Sequence, residues 1–153
     1  MTSVLVTGAT GFVGNALIKI LLQEQPWQVR AAVRSEGASL PENVERVTTG
    51  ELNGQTVWSE ALSGIDCIIH IGGRTHIMAE TASDPLAEFR QVNVEATLNL
   101  AQQAAAAGVR RFVFLSSIKV NGEKTNLLAG FNEESVSESE VDNGRSKSEA
   151  EEA

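Results

Sequence analysis

The stretch VLVTGATGFVG, residues 4–14, constrains this chain most. A short run of mostly β-branched residues suits a strand, and it stops at Gly8. Gly11 and Gly14 then follow at intervals of three. The next segment, GNALIKILLQEQ, places Leu17, Ile18, Leu21 and Leu22 at helical spacing and ends before Pro26. A strand that passes through a glycine turn into a helix leaves the free amides of the helix start, and its dipole, facing whatever lies over the turn. Glycines let the backbone turn tightly and approach an anion with no Cβ in the way. The usual dinucleotide fingerprint is G-x-G-x-x-G; here the first turn is one residue longer. Read as a binding loop, Gly8, Thr10, Gly11, Phe12, Val13 and Gly14 hold a pyrophosphate. The plainer reading is a structural tight turn.

The rest of the chain repeats the alternation of strand and helix. WQVRAAV reads as a second strand, NVERVTTG as a third, QTVWSEAL as a short helix and DCIIHIGG as a strand buried on both faces. One long helix is expected from about Asp84 to Ala107, with Pro85 in its first turn and Gly108 as its stop. RFVFLSS reads as a fifth strand, residues 121–144 as a long polar loop, and a last helix as beginning near Arg145. Such alternation predicts an α/β fold: a Rossmann-like, doubly wound parallel sheet in three layers, with five strands in the order 3-2-1-4-5. Residues 1–153 are one domain's worth of chain, with no internal repeat.

Charge narrows the classes of partner. The net charge is −8, and residues 133–153 hold eight acids, Glu138 among them, against Arg145 and Lys147, or −6. Nucleic-acid binding needs basic patches, so it is not expected. The longest apolar runs are broken by charge and too short to span a bilayer, and no cleavable leader opens the chain, so a cytoplasmic protein is expected. The lone Cys67 agrees with a reducing compartment. Cys67, His70 and His76 lack metal-ligand spacing on one element, and His70, in an apolar strand, reads as a core residue. No metal is expected.

With SGIDCIIHIGG, FRQVNVEATLNLAQQAAAAGVRRFVFLSS and IKVNGE added to the glycine loop, the chain resembles the extended short-chain dehydrogenase/reductase family of nucleotide-sugar epimerases and dehydratases. The stretch RTHIMAETASDPLAEFRQVNVEATLNL is most similar to bacterial UDP-sugar 4-epimerases. The resemblance covers only the front half of a typical member. It therefore implies a sugar-nucleotide pocket lying largely beyond this chain, and an exposed sheet edge that a second copy or another chain would cover.

The family's cofactor is a nicotinamide dinucleotide, mostly NAD. The resemblance places Ile71, Gly72 and Gly73 beside the riboses, Glu51 and Leu52 near the adenine, and Asn93 and Lys147 among the cofactor's neighbours. NAD-binding domains usually carry an acid at the end of the second strand to take the ribose 2′-hydroxyl. Here Arg34 stands there, and a guanidinium suits a 2′-phosphate. This tilts the expectation toward NADP, with NAD kept open.

Catalysis in the family uses a tyrosine as acid and base, a lysine four residues later and a serine or threonine after the fifth strand. Ser117 and Lys147 match the last two, but Asn143 stands at the tyrosine's place, and the chain contains no tyrosine. Substitution and a one-residue deletion explain this equally. The expected function is that of an NAD(P)-binding domain of an epimerase/dehydratase-type oxidoreductase, inactive as this chain. The alternative is a non-catalytic cofactor-binding or interaction module on the same scaffold.

Overall fold

The computed structural model describes residues 2–24, 27–75, 82–125, 130–135 and 139–153. Pro26, His76 and Glu138, named above, lie outside them. Strand β1 (Thr2–Thr7) leads through the glycine loop into helix α1 (Phe12–Gln23), followed by β2 (Trp27–Val33), β3 (Glu45–Thr48), α2 (Ser59–Leu62) and β4 (Cys67–His70). Helix α3 (Pro85–Arg90), a π-helical stretch (Gln91–Glu95) and α4 (Ala96–Ala106) then run in succession to β5 (Arg111–Phe114). A 3₁₀ turn (Ile118–Asn121) and α5 (Asp142–Glu152) complete the order.

The strands form one parallel sheet in the order β3-β2-β1-β4-β5, as the alternation predicts. Residues of the central strand split by parity between two cores. Val4 and Val6 join Ile18 and Leu21 of α1 on one face. Leu5, with Ile68, packs against Trp58, Leu62, Leu100 and Ala104 on the other. Helices thus cover both faces, which is why β4 reads as an unbroken apolar run. Leu5, Ile18, Ile68 and Leu100 are wholly buried, each stabilising the fold by about 2 kcal/mol. At the β5 edge Val113 and Leu115 stay about half exposed, with Ile118 close behind in sequence.

Two helices differ from expectation. The long helix is capped as predicted: the Asp84 carboxylate accepts from the Ala87 amide at 3.1 Å, Pro85 opens the first turn, and Gly108 ends it at φ +78°. Its middle, however, is π-helical over Gln91–Glu95. Helix α5 begins at Asp142, three residues before Arg145, and so shortens the expected loop. Asp142 and Asn143 look like loop residues, yet an acid in the first turn favours a helix start. The Arg145 amide closes that turn on the Val141 carbonyl at 2.9 Å. Gly144 is held so closely that an added Cβ would collide with Ser139 and lie 2.5 Å from the Lys119 carbonyl. Arg90 of α3 then clamps α5 through a two-pronged bond to Glu149, 2.6 and 2.7 Å long.

Candidate functional site

The glycine loop owes its shape to three glycines with three different constraints. Gly8 has φ +67°, and a Cβ there would stand 2.7 Å from the Gly72 nitrogen, so β1 and β4 meet backbone to backbone. Gly14 lies against Gly8, and a Cβ would run into the Gly8 carbonyl. Gly11 is the N-cap of α1 and has no side chain to bond the first-turn amides, which lack helical partners. Its own amide donates to Gly8 O at 3.0 Å. Phe12 beside it is 95% exposed, an unusual place for a phenylalanine ring.

A cleft of about 880 Å³ opens over this loop, at the carboxyl ends of the strands where the chain reverses direction across the sheet. Its walls include Gly8, Thr10, Gly11, Phe12, Val13, Gly14, Arg34, Glu51, Leu52, Ile71, Gly72, Gly73, Ser117, Asn143 and Lys147. These distant stretches of sequence converge on one cavity. Asn93 does not line it. The side chain is wholly buried beneath the floor and spent on the protein: its Oδ1 accepts from the Arg74 amide at 2.8 Å, and its Nδ2 donates to Arg74 O and to Ser146 Oγ. Asn93 thus ties the loop after β4 to α5 rather than offering atoms to a ligand.

The sequence reading missed the polar spine that ends at Asn93. Thr97 Oγ1 donates to Asn93 O at 2.7 Å, so its only proton is used. The His70 Nε2, 2.9 Å from that oxygen, must therefore donate, leaving Nδ1 as acceptor. Thr7 Oγ1, 2.6 Å from Nδ1, supplies the proton and itself accepts from the Gly72 amide at 2.9 Å. One directional chain thus links the glycine loop to the π-helical stretch, with a single His70 tautomer. Only the pairing of Thr7 with His70 across β1 and β4 brings these groups together.

Burial pushes His70 down to about 3. An unfolded histidine takes its proton near pH 6.5. Between those values the unfolded chain binds more protons, so stability is lost as pH falls through that window. Thermal melts should show this as a fall in Tm from pH 7 to pH 4. His70→Leu should melt lower at pH 7 but with a shallower fall; an unchanged fall would show that other groups cause it.

At the opposite wall Lys147 is only 3% exposed, not the solvated lysine that its charged neighbours suggest. Its Nζ donates to Leu115 O at 3.1 Å and lies 4.4 Å from the centre of the Phe114 ring. Burial lowers its pKa to about 8. Ser117 caps the 3₁₀ turn, its Oγ accepting from the Lys119 amide at 3.2 Å. Two buried polar atoms of the cleft lining, Asn143 Oδ1 and Ser116 Oγ, have no hydrogen-bond partner. Such orphans are uncommon in native interiors and need an explanation. At Gly73 a Cβ would stand 2.9 Å from Asn93 Oδ1 and 3.2 Å from Lys147 Nζ, so the missing side chain lets the loop after β4 pack against both.

Residues 4–147 match the model of the NAD dependent epimerase/dehydratase family. The chain belongs to that family. It is 41% identical to UDP-glucose 4-epimerase of Vibrio cholerae over 97% of its own length and 45% of that protein's. Among solved structures, a short-chain dehydrogenase/reductase superfamily protein from Agrobacterium tumefaciens with bound NAD is 32% identical, with a TM-score of 0.77 over 98% of this chain and 43% of the other. MoeE5 in complex with UDP-glucose and NAD is 27% identical, with a TM-score of 0.81 over 98% of this chain and 47% of the other. This epimerase/dehydratase chain thus spans about half the length of the relatives it matches. Among the described residues, no helix is long and apolar enough to cross a membrane, and no three acids, cysteines or histidines group as metal ligands.

Proposed function

We propose that this chain is the dinucleotide-binding part of a nucleotide-sugar epimerase or dehydratase, and that by itself it binds a nicotinamide dinucleotide without turning over a sugar nucleotide. The observation that carries the reading is the cleft: an uncapped helix start and a glycine cradle open into one cavity. The NAD held by the two related structures, and the UDP-glucose held by one of them, support the ligand classes.

In this reading the amides of Phe12, Val13 and Gly14 hold the pyrophosphate. Gly72 and Gly73 let a ribose approach the backbone, and Lys147 donates to its hydroxyls. The bound nicotinamide supplies a hydride acceptor. Ser117 hydrogen-bonds the substrate oxygen. Asn143, at the place of the family's phenol, can donate and accept hydrogen bonds but takes up no proton near neutral pH. That residue favours binding without catalysis.

Calorimetric titration of the purified chain with NAD and with NADP tests the binding. One-to-one saturation by at least one of them is expected, and no heat from either would overturn the reading.

A further inference from the structure

We propose that His70 is a positioning residue of the cleft: its imidazole, bonded on both edges, holds the loop after β4 and the first turn of α5 at the spacing that the ribose beside the nicotinamide needs; the inference rests on the dinucleotide reading above. His70, Thr97, Asn93 and Ser146 are each at most 5% exposed and lie outside the cleft lining, whereas Thr7, Gly72, Gly73, Asn143 and Lys147 belong to it. The buried groups reach both walls. On one side Thr7 Oγ1 gives its proton to His70 Nδ1 at 2.6 Å and so faces the Gly72 amide with a lone pair, at 2.9 Å. On the other, His70 Nε2 donates to Thr97, and Thr97 donates to the Asn93 carbonyl. The Asn93 side chain grips Arg74 at both its amide and its carbonyl and donates to Ser146 Oγ at 2.9 Å. Ser146 Oγ in turn donates to Asn143 O at 3.0 Å, in the first turn of α5.

Packing joins the same walls by a second route. The His70 ring stacks on Phe114, with centroids 5.9 Å apart and 23° between the planes, and Lys147 Nζ lies 4.4 Å from the centre of that same Phe114 ring. Gly73 and Lys147, whose backbone and amine face each other across the ribose place, are therefore both seated on groups that His70 touches or orients. A histidine is the residue that does this. In the tautomer fixed here one ring nitrogen accepts and the other donates, on opposite edges. An asparagine amide reaches only the place of Nδ1, and a glutamine amide only that of Nε2, so each keeps half of the chain. A buried hydroxyl that loses its partner pays for desolvation or turns elsewhere, and the wall it held is released.

The test is calorimetry with ADP, which ends at the pyrophosphate, and with ADP-ribose, which adds the second ribose. The chains are wild type, His70→Asn, His70→Gln and Thr97→Val, with circular dichroism confirming the fold. The wild-type chain should bind ADP-ribose about tenfold more tightly than ADP, the scale of one hydrogen bond. Each variant should cut that advantage to about twofold or less, while its affinity for ADP stays within about threefold of wild type. Thr97→Val keeps the imidazole and its packing, so it answers the same question where a histidine variant does not fold. An equal loss for the two ligands would assign His70 to fold stability alone and overturn the inference. So would the full advantage in any folded variant, or a wild-type chain in which ADP-ribose gains nothing over ADP. Those outcomes leave dinucleotide binding in place. A wild-type chain that binds neither ligand and gives no heat with NAD or NADP would overturn the functional reading and this inference with it.

Discussion

Gly11→Val is expected to abolish dinucleotide binding while leaving the fold intact. The three loop glycines differ in what a side chain would disturb. At Gly8 and Gly14 an added Cβ presses into backbone, at Gly72 and at Gly8 respectively, so substitution there breaks the loop itself. At Gly11 the nearest atom to an added Cβ is Gly8 O at 3.2 Å, which is tight but open to a small shift. Its φ of −75° is ordinary for any residue. The branched side chain would therefore be carried, but it would stand at the N-cap, in front of the first-turn amides that the pyrophosphate needs. Far-ultraviolet circular dichroism and a melt should stay close to wild type, with Tm shifted by no more than several degrees. Calorimetry should detect no saturable binding of NAD or NADP at ligand concentrations about a hundredfold above the wild-type Kd, a loss of about 2.7 kcal/mol or more. Wild-type affinity in the folded variant would show that the anion sits elsewhere.

The glycine loop made the fold legible because its constraint is local: three spacings, a strand before and a helix after. The sheet order followed from alternation and from the rule that parallel strands need crossovers. What stayed hidden depends on contacts between distant segments. The π-helical stretch at Gln91–Glu95 departs from helical spacing by too little to alter the apolar pattern. Lys147 has acids and serines for neighbours in sequence, and only the packing of α5 near the end of β5 buries it. Asn93 was legible as a residue of the site but not as one spent beneath it, since Ser146 and Arg74 reach it from two other elements. Glu51 and Arg34 are neighbours only through the register of β3 on β2.

The chain is expected to show no useful turnover of UDP-glucose or UDP-N-acetylglucosamine with either dinucleotide. Oxidation of a sugar carbon removes a hydride and a hydroxyl proton, and the second needs an acceptor within hydrogen-bond reach. A positioned base contributes about 10²–10⁴-fold. Asn143 cannot act as one, and Ser117 Oγ, though in the cleft, belongs to a hydroxyl far too weak to take the proton and hold it. Lys147 is the stronger rival. A solvated lysine would be protonated throughout the neutral range, but burial brings this amine down to about 8. Its position argues against the role: the Nζ is committed to Leu115 O and drawn over the Phe114 ring, and that attraction requires the charged form. The measurement is a pH series of epimerisation and of reduced-nicotinamide absorbance, with the wild-type chain and with Lys147→Met. Rates near background at every pH are expected, at least about 10²-fold below common enzyme turnover of 1–10³ per second. A rate that climbs through pH 8 in the wild-type chain and vanishes in Lys147→Met would show that the buried amine has taken over from the phenol.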